Sequence, residues 1–423
     1  MQKRIDVQRH EWFALGVSFV YFFCLLAAYY IVRPVRDQLS AAVGSTSLPI
    51  FYLATFLATL SLMPLFGALV KRYPRRRFMP VVYLFFITGM IGFIPLFQIQ
   101  EVIGAKLLGS VFFVWVSVFN LFVVAVFWSY MADIFDAAQA HRLFPIIAVG
   151  GTLGAIIGPL LTQSMVFVVG VSGLLVVSAL MLGICIVCIG LLARWARQNP
   201  VAGDGDRNER IIGGGILAGA AQTLRSPFLR RVALLMLLGD CVGTVVYALL
   251  VDYSNVTFST REERISFASG IDLRATLVQI AVQVLLTREL MMRFGPASVL
   301  ALDGAIKAVM LLGMLLFGMP WIAVVAVVTR ASAYGVFKPG ADSLYTHVDA
   351  ETRYKAKNFI DTAVWRFGDL VVTTSLNGLR LLGVALPGFV LLTVTAAAAS
   401  AFTGWRIVRQ PELRTDAQRV DAS

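Results

Sequence analysis

Residues 329–370 read TRASAYGVFKPGADSLYTHVDAETRYKAKNFIDTAVWRFGDL and place ionisable side chains inside apolar runs. Arg330, Tyr334 and Lys338 recur every four residues, so a regular helix would carry all three on one face. A polar hinge follows, and a second apolar run then holds Asp361, Arg366 and Asp369, the last two at i,i+3. Within a helix that crosses a bilayer, such groups cost roughly 2.5–3.5 kcal/mol each on insertion scales. They are therefore expected to face a cavity or a partner. A guanidinium fork matches carboxylate or phosphate, so the chemistry these residues suit is anion recognition.

A second set closes the first apolar run, in YYIVRPVRDQL at residues 29–39. Tyr29, Arg33 and Arg36 share a helical face, and Asp37 follows Arg33 at i+4 as a ready partner. The arginines can snorkel to outer headgroups, or they can hold an anion. Pro34 removes a backbone donor between them and exposes carbonyls. Asp303 and Lys307 stand at i,i+4, which fits an intrahelical ion pair or a gating pair. Asp240 lies in a further apolar run that ends at Asp252, and a single buried carboxylate can titrate. Two hinges start on Ala-Asp and end on Arg, Asp133–Arg142 and Asp342–Arg353, and both are gating candidates.

Other chemistries find little support. The three histidines, His10, His141 and His347, sit at the edges of apolar runs, and no nucleophile–base set appears, so an enzyme is not expected. Cys24, Cys185, Cys188 and Cys241 fall inside apolar runs, which fits packing thiols. Cys185-x-x-Cys188 has no second ligand pair, so no metal and no cofactor is expected. In VGGTLGAIIGP, Gly150, Gly154 and Gly158 are four apart with no Gly-Lys-Ser/Thr, which indicates close helix packing and not a phosphate loop.

The elements that must position these groups are apolar helices. The 423 residues are 58% hydrophobic and only 14% charged, with mean hydropathy +0.80. Runs long enough to span a bilayer lie near 12–32, 48–70, 79–97, 102–130, 145–168 and 171–193. A second series lies near 229–251, 268–287, 296–317, 321–337, 358–380 and 386–406. The formal charge of +12 is concentrated in alternate loops, so topology explains it better than nucleic acid does. Those loops include Lys71, Arg72 and Arg75–Arg77, then Arg194, Arg197, Arg207, Arg210, Arg225, Arg230 and Arg231. The positive-inside rule puts these loops and both termini in the cytoplasm of a bacterial inner membrane.

The charged, Gly-rich linker 198–215 divides the chain into an N-terminal six-helix half, 1–197, a linker region, 198–228, and a C-terminal half, 229–423. The halves look alike. LVKRYPRRRFMPVVYL pairs with LMMRFGPASVLALDG, and MADIFDAAQAHRLFPII pairs with GADSLYTHVDAETRYKAK. Two similar six-span halves with a cytoplasmic linker are the major facilitator arrangement. The expected fold is thus an all-α membrane protein with twelve transmembrane helices in two six-helix halves.

Three separated blocks carry a further resemblance: IVRPVRDQL, FWSYMADIFDAAQAHRLFPIIAVGGTLGAIIG and DAETRYKAKNFIDTAVWRFGD. Together they resemble the ATP/ADP translocase (nucleotide transporter) family of bacteria and plastids. Arg36 stands where that family has Lys before the acid Asp37, and Asp252 matches an acidic residue after the seventh helix. Asp369 stands where members commonly carry Lys, a charge reversal. The resemblance implies exchange of nucleotides or related phosphorylated solutes.

The expectation is a secondary active transporter of an organic anion, working by alternating access through exchange or ion coupling. Its binding set would be Tyr29, Arg33, Arg36 and Asp37 with Arg330, Tyr334, Lys338, Arg366 and Asp369. Coupling or gating would fall to Asp240, Asp252, Asp303, Lys307, Asp133, Arg142, Asp342 and Arg353. Its partners would be the small anionic substrate and membrane lipid, with no nucleic acid, and the chain would act as a monomer. A non-transporting scaffold or sensor on the same fold, or a carrier of a non-nucleotide solute, is the alternative. The topology is directly testable: Gly205→Cys and Ser259→Cys should label with an impermeant thiol reagent from opposite sides of the membrane. Labelling from the same side would contradict the twelve-span arrangement.

Overall fold

A computed structural model describes residues 7–72, 75–199, 216–345, 348, 356–357 and 359–409. Among the described residues every regular element is helical. Within those residues ten helices are long and apolar enough to cross a bilayer. One of them, Ala137–Gln198, serves as two, because Gly170 breaks it with φ 62°. Glycine adopts that left-handed angle without a Cβ penalty. The break falls between the expected spans 145–168 and 171–193. Another membrane-length segment joins Ile360–Val364 to Trp365–Leu381. The all-helical, twelve-span expectation holds.

The physical reason is the solvent. Hydrocarbon offers no hydrogen bonds, so each span must satisfy its own backbone, and a helix does so within the segment. The outward faces agree: Val168 is 84% exposed and Leu316 81% exposed, an apolar surface that requires lipid.

The chain forms two compact units, residues 1–208 with 254–273 and residues 209–253 with 274–423. Segment 254–273, which follows the linker in sequence, therefore groups with the N-terminal unit. The linker itself lies mostly outside the described residues.

In the first unit we label Glu11–Val43 α1 and Ala137–Gln198 α2. Pro34 does not interrupt α1, which runs unbroken through it. Glycines let the two helices touch. A Cβ at Gly150 would lie 2.5 Å from the Phe19 carbonyl, one at Gly154 would collide with the Phe23 carbonyl, and one at Gly158 would reach within 2.8 Å of Tyr30. The repeated glycines thus pack helices, as their spacing indicated. Aromatics fill the core beside them. Phe22 stacks on Phe127 at 4.4 Å between ring centres, and the buried Tyr21 hydroxyl donates to Tyr83 at 2.7 Å. Cys24, Cys185 and Cys188 are free and buried in this unit.

Three described segments of the second unit depart from regular α-helix in the same way. Gln283–Thr287, Ala333–Phe337 and Ile360–Val364 wind as π-helix. A π-turn adds a residue to the ring and leaves carbonyls short of donors. Thr287 answers one such carbonyl: its hydroxyl lies 2.7 Å from the Gly335 oxygen and 3.1 Å from that of Val282.

These contacts set opposite expectations for two glycines. Gly154→Ala should destabilise by about 1–3 kcal/mol, because the added methyl meets fixed backbone. Gly183→Ala, where a Cβ meets nothing within 4 Å, should stabilise by up to about 1 kcal/mol. Thermal unfolding of the purified variants in detergent checks both signs.

Candidate functional site

Local sequence first fixes where the polar groups stand. Asp136 caps the start of α2: its carboxylate accepts from the Gln139 amide at 2.7 Å while the Gln139 side chain accepts from the Asp136 amide at 3.0 Å. This reciprocal box satisfies two otherwise orphaned donors. It also aims Gln139 and Arg142 at Glu11, near the start of α1. Arg142 grips the Glu11 carboxylate with both nitrogens, at 2.9 and 3.1 Å, and Gln139 adds a contact at 3.1 Å. Asp133 is exposed. The Arg142 end of the hinge expected between Asp133 and Arg142 thus clamps Glu11. No spacing signal predicts it, since the two residues lie far apart in sequence.

Further along α1, Tyr29 and Asp37 are buried while Arg33 and Arg36 are half-buried. The expected Arg33–Asp37 pairing is not what forms. Arg36 takes Asp37, with its Nε and Nη2 at 3.1 and 2.8 Å from one carboxylate oxygen. Arg33 turns instead to Asp272, at 3.5 Å, and its buried Nε makes no hydrogen bond. Asp272 is 2% exposed. Its sequence signal is the one Asp240 also carries, an acid within an apolar run.

In the second unit the expected stripe of Arg330, Tyr334 and Lys338 does not hold together. The π-turn at Ala333–Phe337 displaces the i+4 register. Arg330 and Lys338 are half-buried, whereas Tyr334 is 55% exposed. Nor does Lys338 lack an acid. Its ammonium lies 2.7 Å from Asp361 and 3.4 Å from Asp342, above the Trp365 ring at 5.6 Å. Asp342 also pairs with Lys357 at 2.9 Å. Arg353 lies outside the described residues.

Next along the same helix, Arg366 approaches Asp369 at 3.9 Å, an i,i+3 contact too long for a hydrogen bond. The Thr244 hydroxyl donates to Asp369 at 2.6 Å. Asp240 stands beside Arg366 and Asp369 and accepts from Trp365. Neither Thr244 nor Trp365 was singled out from sequence. Asp252 pairs with Arg380. Asp303 and Lys307 form a buried pair at 2.7 Å, with Lys307 also 5.0 Å from the centre of the Phe337 ring. That is the ion-pair reading of their spacing.

Two kinds of contact thus emerge. Glu11–Arg142, Arg36–Asp37 and Asp303–Lys307 are close and well directed. Arg33–Asp272 and Arg366–Asp369 are long, leaving guanidinium donors for another acceptor.

Solved structures of similar shape extend over nearly the whole chain. A bacterial homologue of the iron transporter ferroportin, in an inward-facing state, aligns with TM-score 0.68 at 13% identity, covering 96% of this chain and 100% of that one. The nucleoside transporter NupG aligns at 0.62 and 14%, covering 95% and 100%. The POT family transporter PepTSo aligns at 0.63 and 13%, covering 96% and 98%. The fold is major facilitator-like. No protein-family profile matches the sequence, and no curated protein does. The chain is a multi-pass membrane protein.

The Glu11 clamp gives a clear expectation. Arg142→Leu leaves a buried carboxylate without its fork, at a cost of about 3–5 kcal/mol. Arg142→Leu with Glu11→Leu should recover most of that loss. Chemical or thermal unfolding of the single and double variants measures it.

Proposed function

We propose that the chain is a secondary active transporter of an organic anion, a nucleotide or another phosphorylated metabolite, working by alternating access in a bacterial inner membrane with both termini cytoplasmic. The fold carries no cargo by itself, because proteins of this shape are named for nucleosides, iron and peptides alike. Cargo must be read from side chains.

The observation that carries the anion reading is the slackness of two arginines. Arg33 and Arg366 contact acids only at 3.5 and 3.9 Å, although nearby pairs close to 2.7–2.9 Å. A phosphate presents several acceptor oxygens and suits the unfilled forks better than a distant carboxylate does. Tyr29, Arg36 and Asp37 share the helix of Arg33, Asp369 shares that of Arg366, and Arg330 and Lys338 lie on neither; all six fall into supporting roles. Lys338 is already held by two acids, so it ranks below Arg366. The exposed Tyr334 ranks last. The resemblance of the three sequence blocks to nucleotide translocases favours nucleotides within the phosphorylated class.

The test is uptake into proteoliposomes, using radiolabelled ATP, ADP and a panel of phosphorylated sugars and acids. Saturable uptake of at least one is expected. Arg33→Lys and Arg366→Lys keep the charge but lose the fork, so kcat/KM should fall about tenfold or more. Uptake unchanged in both variants would make these arginines structural. A folded protein that moves none of the panel would favour the scaffold or sensor reading.

A further inference from the structure

Asp240 has a setting that anion binding alone does not use. It projects from helix Pro227–Thr257, beside Arg366 and Asp369 of helix Trp365–Leu381. Trp365 donates to it, but its second oxygen, Oδ2, is enclosed and makes no hydrogen bond. Gly368 keeps that oxygen close to backbone, since a Cβ there would lie 3.2 Å from it.

The surroundings offer Oδ2 little else. Asp369 is of like charge and accepts from Thr244 at 2.6 Å. Cys241 is the sequence neighbour. Lys338, 5.6 Å from the centre of the Trp365 ring, is held by Asp361 and Asp342. Phe337 packs on Gly239 and stands toward Lys307, which Asp303 holds at 2.7 Å. A carboxylate oxygen that is enclosed, unbonded and beside a second carboxylate is best satisfied by a proton.

We propose that Asp240 carries an exchangeable proton that moves together with an anionic substrate bound at Arg366, so that the chain is a proton–anion symporter. This inference rests on the transporter reading above. The linkage is electrostatic. Arg366 faces both carboxylates, and a substrate phosphate that takes the guanidinium withdraws positive charge from them. Proton binding and anion binding then strengthen each other, and by reciprocity each raises the affinity for the other. The proton joins the Asp240 carboxylate from one aqueous side and leaves to the other, and no bond of the solute is made or broken.

Two measurements on the full chain in lipid vesicles test this. Infrared titration should show a protonated-carboxyl band that is absent in Asp240→Asn and displaced, but present, in Asp240→Glu. ADP affinity should rise as pH falls, by up to about tenfold per pH unit for one linked proton, and should become independent of pH in Asp240→Asn. A band unaffected by both variants, together with pH-independent ADP uptake, would overturn the symport inference and leave an exchanger. If neither ADP nor any other phosphorylated probe is transported, the transport reading falls. The infrared titration then decides the proton alone: a band lost in Asp240→Asn keeps the site, and an unaffected band removes it.

Discussion

An ion within hydrocarbon must be matched by a counter-ion or a water-filled surface, and the described polar architecture follows from that requirement. Idealised transfer of one charge costs far more than a domain's net stability. Cations of the described helices accordingly meet partner acids, among them Arg33, Arg36, Lys307, Lys338 and Arg366. Helix-internal spacing supplies some partners, as for Lys307 and Asp303 at i,i+4. Tertiary packing supplies others: Glu11 for Arg142, Asp361 for Lys338 and Asp252 for Arg380. The helices cannot slide freely past one another without separating these charges.

That constraint separates structural ions from working ones. A pair that only offsets burial gains most when short and fully hydrogen-bonded, as Glu11–Arg142 is. A site that must bind and release a solute cannot be saturated by its own protein. Among the described ion pairs, those of Arg33 and Arg366 have acids that stand off. The glycine seam between α1 and α2 serves the same end. It fixes the helix that bears Arg33, so the guanidinium is positioned by backbone packing and not by a tight pair.

Much of the fold was legible in the sequence because hydropathy and span length are properties of continuous stretches. The break at Gly170 and the packing role of Gly150, Gly154 and Gly158 were readable for that reason. The site was legible in its residue types but not in its pairings. Local spacing offered Asp37 to Arg33, but the neighbouring Arg36 captured it and a distant acid, Asp272, faced Arg33 instead. The stripe through Tyr334 failed because a π-turn shifts register, and AYGVF carries no mark that distinguishes it from regular helix. Glu11 was hidden for a simpler reason: contacts between distant residues leave no periodic trace.

The central claim is that pairing geometry sorts structural ions from functional ones, and comparing two charge-pair deletions tests it most directly. Lys307→Met with Asp303→Leu removes a tight buried pair, and Arg33→Met with Asp272→Leu removes a slack one. For each double variant, thermal stability and solute uptake are measured together. The account predicts near-native stability for both, since matched apolar replacement of a buried pair is often neutral or stabilising. It predicts that uptake survives loss of Lys307–Asp303 and is lost with Arg33–Asp272. Uptake abolished by the first deletion and retained by the second would contradict it.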